Sequence, residues 1–150
     1  VAGAQSAGYA IAYLLNRAKE FERGAFLNAV GGVAKHKSSD LADKIRGVIS
    51  ITDDREAASV LGTGGFVMEC LPFSLYCFTE YPFDFSKAVL TCVNAGGDTD
   101  SNAAIAGSLA GCLNGVDGIP LRWRDGLKQQ REIIELADKL YDSCYGVLSK

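Results

Sequence analysis

Apolar residues recur at helical spacing along almost the whole of this chain, and the alternation that marks a strand is nearly absent. Between Gln5 and Glu20 the stripe is Ala7, Ile11, Leu14, Leu15 and Ala18. After Gly24 a second stripe, Phe26, Leu27, Val30 and Val33, runs into the polar stretch Lys35 to Ser38. Ser39-Asp40 offers a cap for a third helix carrying Leu41, Ile45, Val48 and Ile49. Asp53 and Glu56 stand at capping-box spacing at the start of a fourth. The loop Gly62-Thr63-Gly64-Gly65 leads into an apolar helix from about Phe66 to Phe78. Pro72 means that this helix either starts near the proline or bends there. Helical spacing resumes over Ser86 to Val93 and Asn102 to Asn114, where Gly115 suits a left-handed cap. A final amphipathic helix is expected from Gln129 to Leu148. The pattern predicts an all-α fold, a compact orthogonal helical bundle forming a single domain over residues 1–150.

Composition narrows the partners. A net charge of −3 provides no basic field for nucleic acid. A hydrophobic content of 48% excludes disorder, yet no apolar run approaches the ~20 residues of a membrane span. The five cysteines are odd in number, form no C-x-x-C pair and sit among apolar neighbours. They read as buried free thiols in a reducing compartment, hence a cytoplasmic protein. Met68 is the only methionine and the chain opens at Val1, so it is expected to be processed, truncated or a piece of a longer protein.

The most polar segment is Asn94 to Ser101, NAGGDTDS, directly before an Ala/Gly-rich helix. Asp98 and Asp100 with the Ser101 hydroxyl supply hard oxygen donors that suit Mg²⁺, Mn²⁺ or Ca²⁺ better than zinc. The paired glycines let the backbone bend sharply enough to aim both carboxylates inward. The plainer reading is that one aspartate caps the helix, and both readings stand on spacing alone. An EF-hand beginning at Asp98 fails at Ala103 and Leu109. A phosphoaspartyl motif fails at Asn102 and lacks a preceding strand. Gly107, Gly111 and Gly115 fall four apart, which predicts a buried, central helix that another backbone approaches closely.

Here a resemblance becomes specific. GGDTDSNAAIAGSLAGCLNG, Gly96 to Gly115, is similar to the C-terminal signature of the ADP-ribosylglycohydrolase family, GGD-[ST]-D-[ST] before an Ala/Gly-rich helix. GTGGFVMECLPFSLYCF (Gly62 to Phe78) resembles that family's glycine loop and apolar helix, and GIPLRW (Gly118 to Trp123) its G-I-P-x-x-W turn. The resemblance implies an all-α fold around a binuclear Mg²⁺ site, with Mn²⁺ as a substitute. It implies hydrolysis of the bond between ADP-ribose and an acceptor side chain. The substrate would be an ADP-ribosylated protein or an ADP-ribose-containing small molecule. By the same resemblance Asp98, Asp100 and Ser101 are metal ligands, Thr99 is their spacer, and Gly64, Gly65 and Phe66 line the ADP-ribose cleft. For Phe66 the plainer reading is the first core residue of its helix.

The family's second ligand motif, T/S-D-D-T, has no counterpart in the expected order. Thr52-Asp53-Asp54 continues with Arg55-Glu56 and reads as a helix cap. The chain is therefore expected to be the C-terminal portion of such an enzyme, inactive alone, and to expose an apolar face through which it could homodimerise. The general acid and base are unassigned. The alternative is a non-catalytic structural or interaction protein that retains the helical scaffold. His36, between two lysines, reads as a solvated helix end, and Trp123 as a wedge in a turn.

Overall fold

The computed structural model describes residues 1–17 and 21–145. Among them there are helices and turns and no strand, the all-α class expected. They form two compact units, Val1–Gly118 and Ile119–Lys150.

The first unit holds α1 (Ala2–Arg17), α2 (Arg23–Lys35), α3 (Ser39–Gly47), α4 (Asp54–Leu61), α5 (Val67–Glu80), α6 (Phe85–Asn94) and α7 (Thr99–Asn114). Short polar side chains set several starts by accepting the orphan N–H groups of the first turn. Ser38, one residue before the expected cap, accepts from Leu41 N at 3.2 Å. Asp53 accepts from the Arg55 and Glu56 N–H groups, and Asp84 from that of Lys87. His36 caps the C-terminal end of α2 and is exposed, as expected.

Helix α5 forms the centre of the core. Every residue from Cys70 to Thr79 is buried, so the helix is covered on all sides rather than along one stripe. It continues through the position of Pro72, so the proline does not mark its start. Phe73 and Phe78 of α5 are fully buried, as are Phe26 and Leu27 of α2 and Leu41 and Ile45 of α3. Phe78 meets Phe26 and Phe21 edge-on, with ring centroids 5.6 and 5.4 Å apart. Beside this cluster Arg23 pairs with Glu80 and donates to the carbonyls of Val48 (3.1 Å) and Ile51 (2.7 Å). One cation thereby satisfies the chain reversal between α3 and α4.

Helix α7 packs on α1, α5 and α6, so it is central, but it is less enclosed than α5. The expected close backbone approach is absent. A methyl group at Gly107 would meet Val89 Cγ2 at 3.4 Å, and one at Gly111 would meet Phe85 at 3.9 Å, both ordinary side-chain contacts. Gly115 is the C-cap with a positive φ (68°), but its ψ of −177° is extended, so it is not the αL cap expected.

The second unit holds α8 (Leu121–Asp125), a short helix where only a turn was expected, and α9 (Gln130–Tyr145). The expected end of α9 at Leu148 lies outside the described residues. Ile133, Leu136, Leu140 and Tyr141 are exposed on α9. Trp123 is half-buried. Cys70, Cys77 and Cys92 are buried free thiols and Cys112 is half-buried, but Cys144 is exposed, contrary to its apolar sequence neighbours. No described helix is long and apolar enough to cross a membrane.

Candidate functional site

The turn between α6 and α7 is made by two successive left-handed glycines, Gly96 (φ 77°) and Gly97 (φ 74°). L side chains rarely adopt this backbone. Gly97 has a second reason to be glycine: a Cβ there would lie 2.4 Å from the Thr63 carbonyl oxygen. That closeness lets the Asp98 N–H donate to Thr63 O at 2.8 Å. The glycine loop is thereby laid against the first turn of α7.

The loop is also held from its other side. Gly62 ends α4 with φ 77°, and the Gly64 N–H donates to Glu69 Oε2 at 2.9 Å. Side chains at Gly62 or Gly64 would run into the Glu69 carboxyl group, with the nearest atoms at 2.7 Å in each case. At Gly65 a Cβ would lie 2.3 Å from Asp98 Oδ2. The two glycine-rich segments therefore meet on the Asp98 carboxylate. Of the site residues expected from sequence, Gly64, Gly65, Asp98, Asp100 and Ser101 are gathered here.

Asp98 stands in the N-cap position of α7, yet its side chain makes no capping hydrogen bond. The capping reading fails for this residue, and its carboxyl instead pairs with that of Asp100. Asp98 is half-buried, while Asp100 and Ser101 are exposed in the first turn. The Asp98 carboxyl beside it, then the backbone N–H groups of Ser101 and Asp100, hold the Asp100 carboxyl below the ordinary aspartate range. Asp100 is thus ionised at neutral pH, a hard oxygen donor next to a second one. Two carboxylates and a hydroxyl fit a divalent cation in kind. Among the described residues no group of three His, Cys, Asp or Glu side chains could hold a metal ion.

Phe66 precedes α5 and is 64% exposed, so it is not the first core residue of that helix. Three residues of this region escaped the sequence reading: Thr63, Glu69 and Asn102. Asn102 is fully buried on the core face of α7, and its Nδ2 donates to Thr63 O at 2.8 Å. A polar residue in register with Ala106, Leu109 and Ala110 was the available signal. Ser74 of α5 donates to the Asn102 carbonyl at 3.1 Å, tying α5 to the same turn.

On the far side of the loop a cavity of about 580 Å³ is lined by Asp54, Arg55, Ser59, Thr63, Thr91 and Asn94, among others. Asp53 is the cap of α4 as expected, but Asp54 is not part of the cap. Asp54 accepts hydrogen bonds from the phenols of Tyr76 (2.9 Å) and Tyr81 (3.1 Å). Burial, then the bond to Asp54, pushes the Tyr81 phenol up to about 12 and raises Tyr76 as well. Burial pushes the Cys70 thiol up, and the Asp98 charge adds to this. Cys70 is therefore held in the protonated form among core residues.

Comparison with known proteins places the chain in a family. The family model described as ADP-ribosylglycohydrolase covers residues 1–148. An uncharacterized protein of Archaeoglobus fulgidus is 39% identical over 104 residues, 68% of this chain and 33% of the relative. ADP-ribosylhydrolase ARH3 of Danio rerio is 32% identical over 117 residues, 71% of this chain and 30% of the relative. ADP-ribosylarginine hydrolase Tri1 of Serratia proteamaculans is 37% identical over 79 residues, 53% of this chain and 21% of the relative. The chain thus spans a third or less of the length of these relatives. It belongs to the ADP-ribosylglycohydrolase family.

Proposed function

We propose that this chain supplies one side of the catalytic centre of a Mg²⁺-dependent hydrolase that cleaves the glycosidic bond between ADP-ribose and an acceptor side chain. The observation that carries the reading is the pair of aspartates at the start of α7, of which Asp98 makes no capping bond and is backed by the glycine loop. Asp98, Asp100 and Ser101 are the residues that would hold Mg²⁺ or Mn²⁺. A divalent cation, when bound, supplies Lewis acidity to a reacting oxygen. The chain's own residues do the rest. Two carboxylates fix the place of positive charge, and the loop backbone fills one flank of Asp98. The exposed ring of Phe66 offers a flat apolar surface to an ADP-ribosylated protein or ADP-ribose-containing small molecule. Association between copies through the exposed apolar side chains of α9, in a reducing cytoplasm that suits five free thiols, belongs to the same proposal.

Three oxygen donors from one turn leave an octahedral Mg²⁺ shell short of protein ligands. The 150-residue chain is therefore expected to bind a divalent cation weakly and to release no ADP-ribose by itself. Calorimetric titration with Mg²⁺ should show heat for the wild type and a loss of it for Asp100→Ala. Identical heats would remove Asp100 from the ligand set, and no heat in either would favour a non-catalytic helical scaffold. Incubation with ADP-ribosylated arginine and serine peptides tests the second half, since robust turnover would overturn the expected inactivity.

A further inference from the structure

We propose that Asn102 is a positioning residue for the Asp98 side chain, acting through the main chain of the glycine loop. The proposal rests on the reading of Asp98 as a cation donor. It begins from an imbalance in the core. Asn102 has no exposed surface, and while its Nδ2 donates to Thr63 O, its Oδ1 is buried with no partner. A buried acceptor left unpaired is unfavourable, and an aliphatic side chain of similar size would remove that penalty. Asn102 is therefore a poor choice for stability alone. Its distinguishing contribution is the bond to Thr63.

That bond shares its acceptor with a second one. Thr63 O takes the Asn102 amide and the Asp98 N–H, each at 2.8 Å, so one carbonyl is held by two donors from the first turn of α7. A single bond would leave the carbonyl free to swing about it, whereas two fix its place. Two residues further on, Gly65 lies close enough to Asp98 Oδ2 that even a methyl group would overlap it. The loop backbone is consequently a wall for the Asp98 carboxylate. With the Gly64 N–H fastened to Glu69, the wall is anchored at its other end. Removing the Asn102 donor frees the loop to withdraw at the end nearest α7, and Asp98 gains rotational freedom.

The test compares wild type with Asn102→Leu, which removes both the donor and the orphaned acceptor, and with Asn102→Ala should the leucine variant not fold. Thermal unfolding of Asn102→Leu is expected at or above the wild-type midpoint. Hydrogen exchange at the Asp98 amide is expected to be about tenfold faster, the effect of losing roughly one hydrogen bond's support. Scalar couplings should change from a single Asp98 χ1 rotamer to an average. Mn²⁺ affinity, read by electron paramagnetic resonance, should fall about tenfold. Unchanged exchange and couplings at Asp98 in the folded variant would overturn the proposal, as would altered couplings with unchanged Mn²⁺ affinity. If wild type binds no Mn²⁺, the cation reading fails by itself, and the metal-free couplings alone decide whether Asn102 positions Asp98.

Discussion

Gly96 and Gly97 share one backbone conformation but differ in what surrounds them. Nothing lies within 4 Å of a Cβ built at Gly96, whereas one at Gly97 would strike the Thr63 carbonyl at 2.4 Å. Gly96→Ala should therefore cost about 1 kcal/mol, the left-handed penalty alone. Gly97→Ala should cost about 3 kcal/mol or more, because the same penalty is joined by displacement of a main-chain atom. Urea unfolding of the two variants measures the difference, and equal losses would show that the loop does not press on the turn. The sequence makes both glycines legible as a bend and both aspartates as oxygen donors. It hides the roles of Thr63 and Asn102, since their bond joins positions 39 residues apart and lies in two separate motifs, neither of which indicates the other as a partner. Asp54 was misread for a related reason. Its neighbour Asp53 satisfies the helix start, and the two tyrosines that engage Asp54 come from α5 and the turn that follows it.

The helices themselves were legible because burial imposes a 3.6-residue period on each, and most ends fall within a few residues of the expected ones. The glycine spacing of α7 shows where periodicity stops being informative. Glycines four apart can serve a close backbone approach or merely face bulky side chains, and the two leave the same trace in a sequence. Here Phe85 and Val89 of α6 fill the space. A methyl group at Gly111 would sit at ordinary contact distance from Phe85, so Gly111→Ala should stabilise the protein by about 0.5–1 kcal/mol through the helix term. A lower denaturation midpoint for this variant would restore the close-packing reading. Helix α5 carries the opposite lesson: an apolar run interrupted only by Glu69 and Ser74 between Val67 and Phe78 marks it as buried, and Pro72 near its first turns does not end it.

For the molecule as a whole, the carboxylate of Asp54 links α4 to α5 and its following turn through two phenols. Both phenols are harder to ionise in the folded protein than in the unfolded chain, Tyr81 being pushed up to about 12. The folded value lies above the unfolded one, so this contribution is complete below about pH 10 and is lost as pH rises through about 12. Urea midpoints should stay level with respect to this pair up to the ordinary tyrosine range and then decline. Tyr81→Phe should reduce the decline, and an unaltered alkaline slope would show that Tyr81 does not contribute to it.

The Thr63 carbonyl, with its two donors, carries an implication for inheritance as much as for chemistry. A side chain at Gly97 would strike the Thr63 main chain and one at Gly65 the Asp98 carboxyl, so at these two points neither segment can drift in sequence on its own. They behave as a single cassette written in two places. A loop transplanted from a relative should fold only when the matching turn is carried with it.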